Sequence, residues 1–247
     1  MIFAHSRDLG DIVYSLDAIK ALGGGQLHLT VNPKYTLHGM TPWRVDFIRP
    51  LLEAQPYITR VVYPGDPDEK PDVDFSDILP RWNTHRNLHE CHLALAGLDG
   101  RVCRGPWLTL PEPAKQNGYV IAAYSPRRPN LFFPWKAIHD RLVSEKNFYP
   151  MLFIGLESEQ KKLKEEHGVD LPWQQTANAL YMAELIAGCK LFIGSSSLPL
   201  AIAEGLGVPV LAALDGNHHD SHHCRAKRWE CSTMGCDYES IFAELGL

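Results

Sequence analysis

The stretch His5-Ser6-Arg7-Asp8-Leu9-Gly10-Asp11 crowds two carboxylates, a guanidinium, an imidazole and a glycine into seven residues. It follows a short apolar run and precedes Ile12, Leu16, Ile19 and Leu22 at helical spacing, so it reads as a strand-to-helix junction. A carboxylate held there, beside a glycine that lets a ligand approach the backbone, is placed to take a proton from a hydroxyl. The competing reading is structural. Asp8 or Asp11 at the start of a helix caps backbone N–H groups and complements the helix dipole.

Three later segments carry anion-binding or hydroxyl-binding chemistry in the same strand-loop-helix context. In residues 192–214, FIGSSSLPLAIAEGLGVPVLAAL, an apolar strand ends at Gly194, and Ser195, Ser196 and Ser197 lead into a small-residue helix through Leu198 and Pro199. Backbone N–H groups and the dipole at such a helix start suit a phosphate or diphosphate; a serine-capped helix with nothing bound is the plainer alternative. In residues 122–135, AAYSPRRPNLFFPW, Ser125, Arg127 and Arg128 follow another strand, and arginine matches phosphate in bidentate fashion, although paired loop arginines are commonly just solvated. In residues 153–163, FIGLESEQKKL, Glu157 or Glu159 is placed to accept from ribose hydroxyls, against the alternative of ion pairs with Lys161, Lys162 or Lys164.

The tail from residue 216 to 237 concentrates His218, His219, His222 and His223 with Cys224, Cys231 and Cys236. The density invites zinc, but the spacing forms no CxxC pair and no ordered quartet, so zinc is not expected. A loop returning toward the N-terminal unit and lining a cleft, with His218, His219 or Asp220 near a donor, is the preferred reading.

The elements that must position these loops alternate along the chain. Strands are expected at residues 1–4, 27–31 and 58–63, with helices after Asp11 and from Thr41-Pro42 to Leu52. Residues 64–86, rich in Pro and Asp, are expected to be loop. PEPAKQNG at 111–118 has the texture of a linker, and the boundary is placed there: residues 1–113 as one unit, 114–247 as the other, with a return of the last helix to the first unit left open. Beyond it strands are expected at 119–123, 151–154, 191–193 and 208–212, with helices at 135–145, 157–167, 180–187, 198–206 and 237–245. The fold class is therefore α/β, two Rossmann-like units with parallel sheets, whose ligand belongs in a cleft at the carboxyl ends of the strands.

Composition sets the outer bounds. The chain has 247 residues, 45% hydrophobic and 21% charged, with 24 Lys and Arg against 29 Asp and Glu, or −5. Nothing global marks a nucleic-acid binder, although RAKRW at 225–229 with Arg81, Trp82, His85 and Arg86 offers a local basic and aromatic strip. Six cysteines are too few for a disulfide scaffold, no segment reads as a signal peptide or a membrane span, and a cytoplasmic protein with reduced thiols is expected.

Taken in order, GDI in the first loop, the linker, SPRRPNLFFPW, FIGLESE and SSSLPLAIAEGLGVPVLAAL resemble glycosyltransferase family 9, which includes the lipopolysaccharide heptosyltransferases. The resemblance implies a compact GT-B architecture, a nucleotide-sugar donor on the C-terminal unit, an acceptor on the N-terminal one and no required metal or other cofactor. It implies Asp11 as the catalytic base, Ser195 to Pro199 as the turn holding the donor diphosphate, Ser125, Arg127 and Arg128 near phosphate, and Glu159 at the donor ribose. His5, Arg7, Asp8, Gly10, His218 and His219 are expected to bind the acceptor or line the cleft. The chain departs from the family pattern at Ser196, where an aspartate is usual, at Leu198 for glycine and at Ala201 for histidine. The expected reaction is inverting transfer to an acceptor hydroxyl on a saccharide, or on a hydroxylated base of phage-type DNA. A binding module without turnover and a GT-B epimerase are the alternatives. Donor sugar and oligomeric state are not legible in the sequence.

Overall fold

A computed structural model describes residues 1–31, 39–65, 69–78, 87–98, 105–127, 129–144, 149–214, 228–231 and 237–247, with Arg228, Glu230 and Cys231 described by backbone alone. Among the described residues the chain forms ten strands and eight helices. The first sheet contains β1 (Ile2–His5), β2 (Gly25–Leu29), β3 (Ile58–Val62) and β4 (Val73–Asp74), all parallel, in the order β3-β2-β1-β4. Helices α1 (Leu9–Ala21), α2 (Pro42–Glu53) and α3 (Leu88–Leu95) belong to this half.

The second sheet contains β5 (Val120–Ala123), β6 (Met151–Ile154), β7 (Trp173–Gln174), β8 (Leu191–Gly194), β9 (Val210–Ala213) and β10 (Arg228–Cys231). Its order, β10-β9-β8-β5-β6-β7, is the doubly wound order of a dinucleotide-binding sheet, with the switch point between β5 and β8. Helices α4 (Trp135–Leu142), α5 (Glu157–His167), α6 (Ala179–Ala187), α7 (Leu198–Leu206) and α8 (Tyr238–Leu245) accompany it. The α/β reading with two parallel sheets is thus what the chain adopts.

Strands β5, β6, β8 and β9 are apolar throughout because helices cover both faces of the second sheet. Side-chain alternation divides them between two cores: Ile121, Ala123, Phe192, Val210 and Ala212 join one cluster, and Val120, Ala122, Leu191, Ile193, Leu211 and Ala213 join the other. The first cluster is shared by both halves. It joins Phe3, Leu27 and Ile58 of the first sheet to Leu200 and Ile202 of α7, and α1 packs on α7 while α2 packs on α6. The second cluster belongs to the C-terminal half alone and contains Ile241 and Phe242, so α8 stays on its own sheet instead of returning to the first half.

Helix α7 is buried on every side, as its sequence Leu-Pro-Leu-Ala-Ile-Ala-Glu-Gly-Leu requires. The chain following the first half lies across it: Trp107 and Leu108 donate backbone N–H groups to the Gly205 carbonyl, and a Cβ on Gly205 would come within 2.7 Å of the Leu108 side chain. Gln55 clasps the same segment, donating to the Thr109 carbonyl at 3.2 Å and accepting its N–H at 2.9 Å. The expected linker is also pinned at its far end, where the Asn117 amide donates to the Leu185 carbonyl at 2.9 Å.

Several boundaries differ from the sequence expectation. Strand β2 begins at Gly25, because Gly24, at φ +81°, passes so close to Tyr57 that a Cβ would meet its carbonyl oxygen at 2.1 Å. Helix α4 ends at Leu142, short of Glu145, and β9 starts at Val210. The stretch expected to be loop contributes β4, and β7, β10 and α3 are further elements the pattern does not announce.

Candidate active site

Strand β1 is central, and its carboxyl end delivers His5, Ser6, Arg7 and Asp8 to the switch point between β1 and β4. Asp8 occupies the N-cap of α1 but its side chain makes no cap bond. It accepts instead from Arg44, in the first turn of α2, at 2.6 Å. Arg7 donates its Nε–H to Asp11 Oδ2 at 2.9 Å, both residues being partly buried. The capping role open to Asp8 in the sequence is thus replaced by an ion pair, and Asp11 sits in the first turn with its charge compensated by Arg7. Just beyond the paired strands, Ser6 and Ser76 bury hydroxyls that find no hydrogen-bond partner among the described residues. The switch point therefore keeps polar capacity that the described residues do not use.

His5 is fully buried at the end of β1, with Nε2 3.4 Å from His92 Nε2 of α3 and Nδ1 accepting the Arg7 backbone N–H at 3.2 Å. Burial, His92 and Arg7 hold its pKa well below the usual histidine range, against an opposing interaction with the Asp11 backbone. Burial likewise pushes His92 down to about 3, although its bond to the Leu88 carbonyl works the other way.

The second switch point assembles the serine loop. Ser195 is buried and its Oγ accepts the Ser125 backbone N–H at 2.7 Å, tying the loop after β8 to the loop after β5. Ser197, the N-cap of α7, donates its hydroxyl to the Ser195 carbonyl at 2.9 Å and makes no side-chain cap bond to the helix. Ser196, Ser197 and Leu198 are half-buried and Pro199 is buried. With Pro199 at the helix start, the first-turn N–H groups of α7 lie outside its internal ladder.

Arg127 is exposed on the loop after β5 and close enough to Glu159, in the first turn of α5, to bias its titration. Glu159 is mostly buried, and burial raises its pKa, opposed by the Leu156 N–H and then by Arg127. Its Oε2 accepts that N–H at 3.0 Å, so part of the carboxylate is committed to the turn and part of its acceptor capacity remains for a hydroxyl. Leu131 and Phe132 stand exposed on the neighbouring loop, which Asn130 folds by donating to the Leu214 carbonyl at 2.7 Å.

The two switch points meet. A Cβ placed on Gly10 would lie 3.6 Å from both the Leu198 nitrogen and the Ser197 carbonyl oxygen, so the start of α1 touches the start of α7. One turn further along, Tyr14 donates to Glu204 Oε2 at 2.6 Å in a buried bond between the same helices. The structure thus brings Gly10 against Ser197 and Leu198 of the serine turn, pairs Arg7 with Asp11 in the same helix start, and brings Arg127 within electrostatic reach of Glu159. Arg128, His218 and His219 lie outside the described residues, as do Arg81, Trp82, His85, Arg86 and residues 225–227 of the basic strip. Arg44, Tyr14, Glu204 and His92 are contributions that sequence reasoning missed. A charge on the first turn of α2 and a lone glutamate inside the apolar α7 were the available signals.

Among the described residues, no group of three or more His, Cys, Asp or Glu side chains is placed to hold a metal ion. No described helix is long and apolar enough to cross a membrane.

No protein-family profile and no curated protein matches the chain by sequence. Solved structures do match by shape. The E. coli ADP-heptose lipopolysaccharide heptosyltransferase II superposes with a TM-score of 0.62 at 11% identity, over 99% of this chain and 97% of the other. The E. coli heptosyltransferase WaaC, solved with ADP, gives 0.62 at 10% identity over 99% of both chains. The family 9 glycosyltransferase of Veillonella parvula DSM 2008 gives 0.58 at 13% identity, over 99% of this chain and 88% of that one. At these identities the shared property is the fold, that of GT-B glycosyltransferases.

Proposed function

We propose that the protein is an inverting glycosyltransferase: it moves a sugar from a nucleotide-diphosphate donor to an acceptor hydroxyl, with Asp11 as general base. The observation that carries this reading is the contact of Gly10 with Ser197 and Leu198, which sets the helix start that carries Asp11 against an anion-competent helix start from the other sheet.

In this reading the turn from Ser195 to Leu198 and the α7 dipole hold the donor diphosphate and stabilise the charge that grows on it as the glycosidic bond breaks. Arg127 and Arg128 flank the same diphosphate, and Glu159 takes the donor ribose. The sugar carbon then faces Asp11 across the junction. An acceptor hydroxyl seated at the first switch point, near Ser6 and Ser76, attacks from the face opposite the leaving group, and Asp11 receives its proton. Arg7 holds Asp11 by one oxygen and compensates its charge. Charge compensation comes from arginines and helix ends, so no step relies on a metal or other cofactor. Residues 1–113 serve as the acceptor unit and 114–247 as the donor unit. The acceptor is a saccharide; a hydroxylated DNA base is the alternative, and its basic strip lies outside the described residues.

The test is a panel of ADP-, GDP- and UDP-sugars, each offered with a lipopolysaccharide-core saccharide and with hydroxymethylated DNA, read by mass spectrometry. A mass gain on the saccharide supports the reading, and a gain on DNA moves the acceptor to the base. Donor binding by thermal shift with no nucleoside diphosphate released from any donor would make the protein a binding module.

A further inference from the structure

The two buried histidines beside the junction are unused by the mechanism above, and their contacts determine where their hydrogens are. His92 Nδ1 lies 2.7 Å from the Leu88 carbonyl, which only accepts, so Nδ1 carries the hydrogen and Nε2 is bare. His5 Nδ1 accepts the Arg7 backbone N–H at 3.2 Å, so the His5 hydrogen is on Nε2 and faces the bare His92 Nε2 at 3.4 Å. Each of these links has one donor and one acceptor, and Arg7, whose backbone N–H is held by His5, separately donates its side-chain Nε–H to Asp11 Oδ2 at 2.9 Å.

The surroundings hold this arrangement in place. Both rings are fully buried, and Phe75 lies edge-on to His92, with 5.6 Å between centroids, and tilted against His5 at 6.2 Å. The neighbouring His89 pairs with Asp17 at 2.8 Å and stacks on Trp107. A buried histidine pair that only filled space would be replaceable by apolar rings at lower desolvation cost.

We propose that His5 and His92 form an imidazole relay that positions Arg7 and, through it, the carboxylate of Asp11. Both are positioning residues. The relay runs from the Leu88 carbonyl in α3 through the end of β1 to Arg7 ahead of α1, and α3 also packs directly on α1, where His89 meets Asp17. The proposal rests on the reading of Asp11 as the base, because a relay that orients an idle carboxylate would have no kinetic effect.

The test combines a readout without substrate and one with it. Nitrogen-15 NMR of the wild-type rings is expected to show protonated Nε2 on His5 and protonated Nδ1 on His92; the opposite tautomer on either ring overturns the relay. In His92→Phe the Arg7 Nε–H signal is expected to broaden or move, and kcat to fall about tenfold to a hundredfold with the donor KM within about twofold, the cost of a base displaced by a fraction of an ångström. His92→Gln, whose amide both donates and accepts, is expected to recover most of kcat. An unchanged Arg7 signal with wild-type kcat in His92→Phe overturns the proposal, and if that variant does not fold the wild-type tautomers decide. Full activity of Asp11→Asn would instead remove the base assignment, and with it the relay's kinetic role, while leaving the tautomers and the Arg7 signal as found.

Discussion

Gly10 and Leu198 meet backbone to backbone, with only van der Waals distance between a Cβ on the glycine and the Leu198 nitrogen. The contact joins residues that belong to different sheets, and the two helices that begin there run on together into a shared core. Position 10 has room for one methyl group, at 3.6 Å, and for little more. Gly10→Ala is expected to fold with stability within about 1 kcal/mol of wild type, because it makes an ordinary contact. Gly10→Leu is expected to fold less stably and to lose transfer, since its side chain must fill the junction or part the helices. Thermal melts and the transfer assay check both, and a fully active Gly10→Leu would place the chemistry elsewhere.

Asp11→Asn preserves shape and still accepts the Arg7 Nε–H through its carbonyl oxygen, but it cannot take a proton. Donor binding is expected to be retained and the transfer rate to fall about a hundredfold to ten-thousandfold. Binding is checked by titration of the donor and rate by release of the nucleoside diphosphate in the presence of acceptor. Equal turnover in mutant and wild type would strip Asp11 of this role.

Tyr14 and Glu204 fasten the same helix pair from inside. The glutamate is nearly inaccessible, and its carboxylate lies in a helix with no other charge. Tyr14→Phe removes the donor and leaves the carboxylate short of a hydrogen bond, an expected loss of about 1–3 kcal/mol. Tyr14→Phe combined with Glu204→Leu removes both polar partners and is expected to recover part of that loss, a non-additivity that urea unfolding of the two single variants and the double variant will read. Additive losses would mean that the bond contributes nothing of its own.

What was legible in the sequence is what lies close together along it. Ile12, Leu16 and Ile19 announce α1 by their spacing, and the runs at 151–154 and 191–193 announce strands because both their faces are buried. Val73–Asp74 and Trp173–Gln174 are two residues each and show no period, so the strand completing the first switch point was invisible. Helix α3, LHECHLAL, hides its inward face in polar letters: His89 and His92 are buried because Asp17 and the Leu88 carbonyl satisfy them. The site divides the same way. Asp11 and the serine turn stand out locally, whereas Arg44 reaches Asp8 across 36 residues and Tyr14 reaches Glu204 across 190, separations that only the parallel sheets bring to contact distance.

Burial of His5 and His92 makes the fold less stable in acid. His92, with a pKa near 3 in the folded chain, stays neutral where an unfolded histidine takes a proton at about 6.5. The unfolded state then binds more protons, so the contribution is complete above pH 6.5 and is lost as pH falls toward 3. His5 shifts in the same direction for the same first cause, burial. Between pH 6.5 and 5 ordinary carboxylates are still mostly ionised, so this window reports the histidines, of which His167, also lowered by burial, is common to the two proteins compared. The loss by pH 5 is expected to be on the order of 2 kcal/mol for His92. Urea midpoints at pH 7 and pH 5 check it in wild type and in His92→Phe, where the fall between the two is expected to be smaller by about that amount. An identical fall in both proteins would mean that the His92 ring takes up its proton without leaving the fold, and that the core around Phe75 admits a charge.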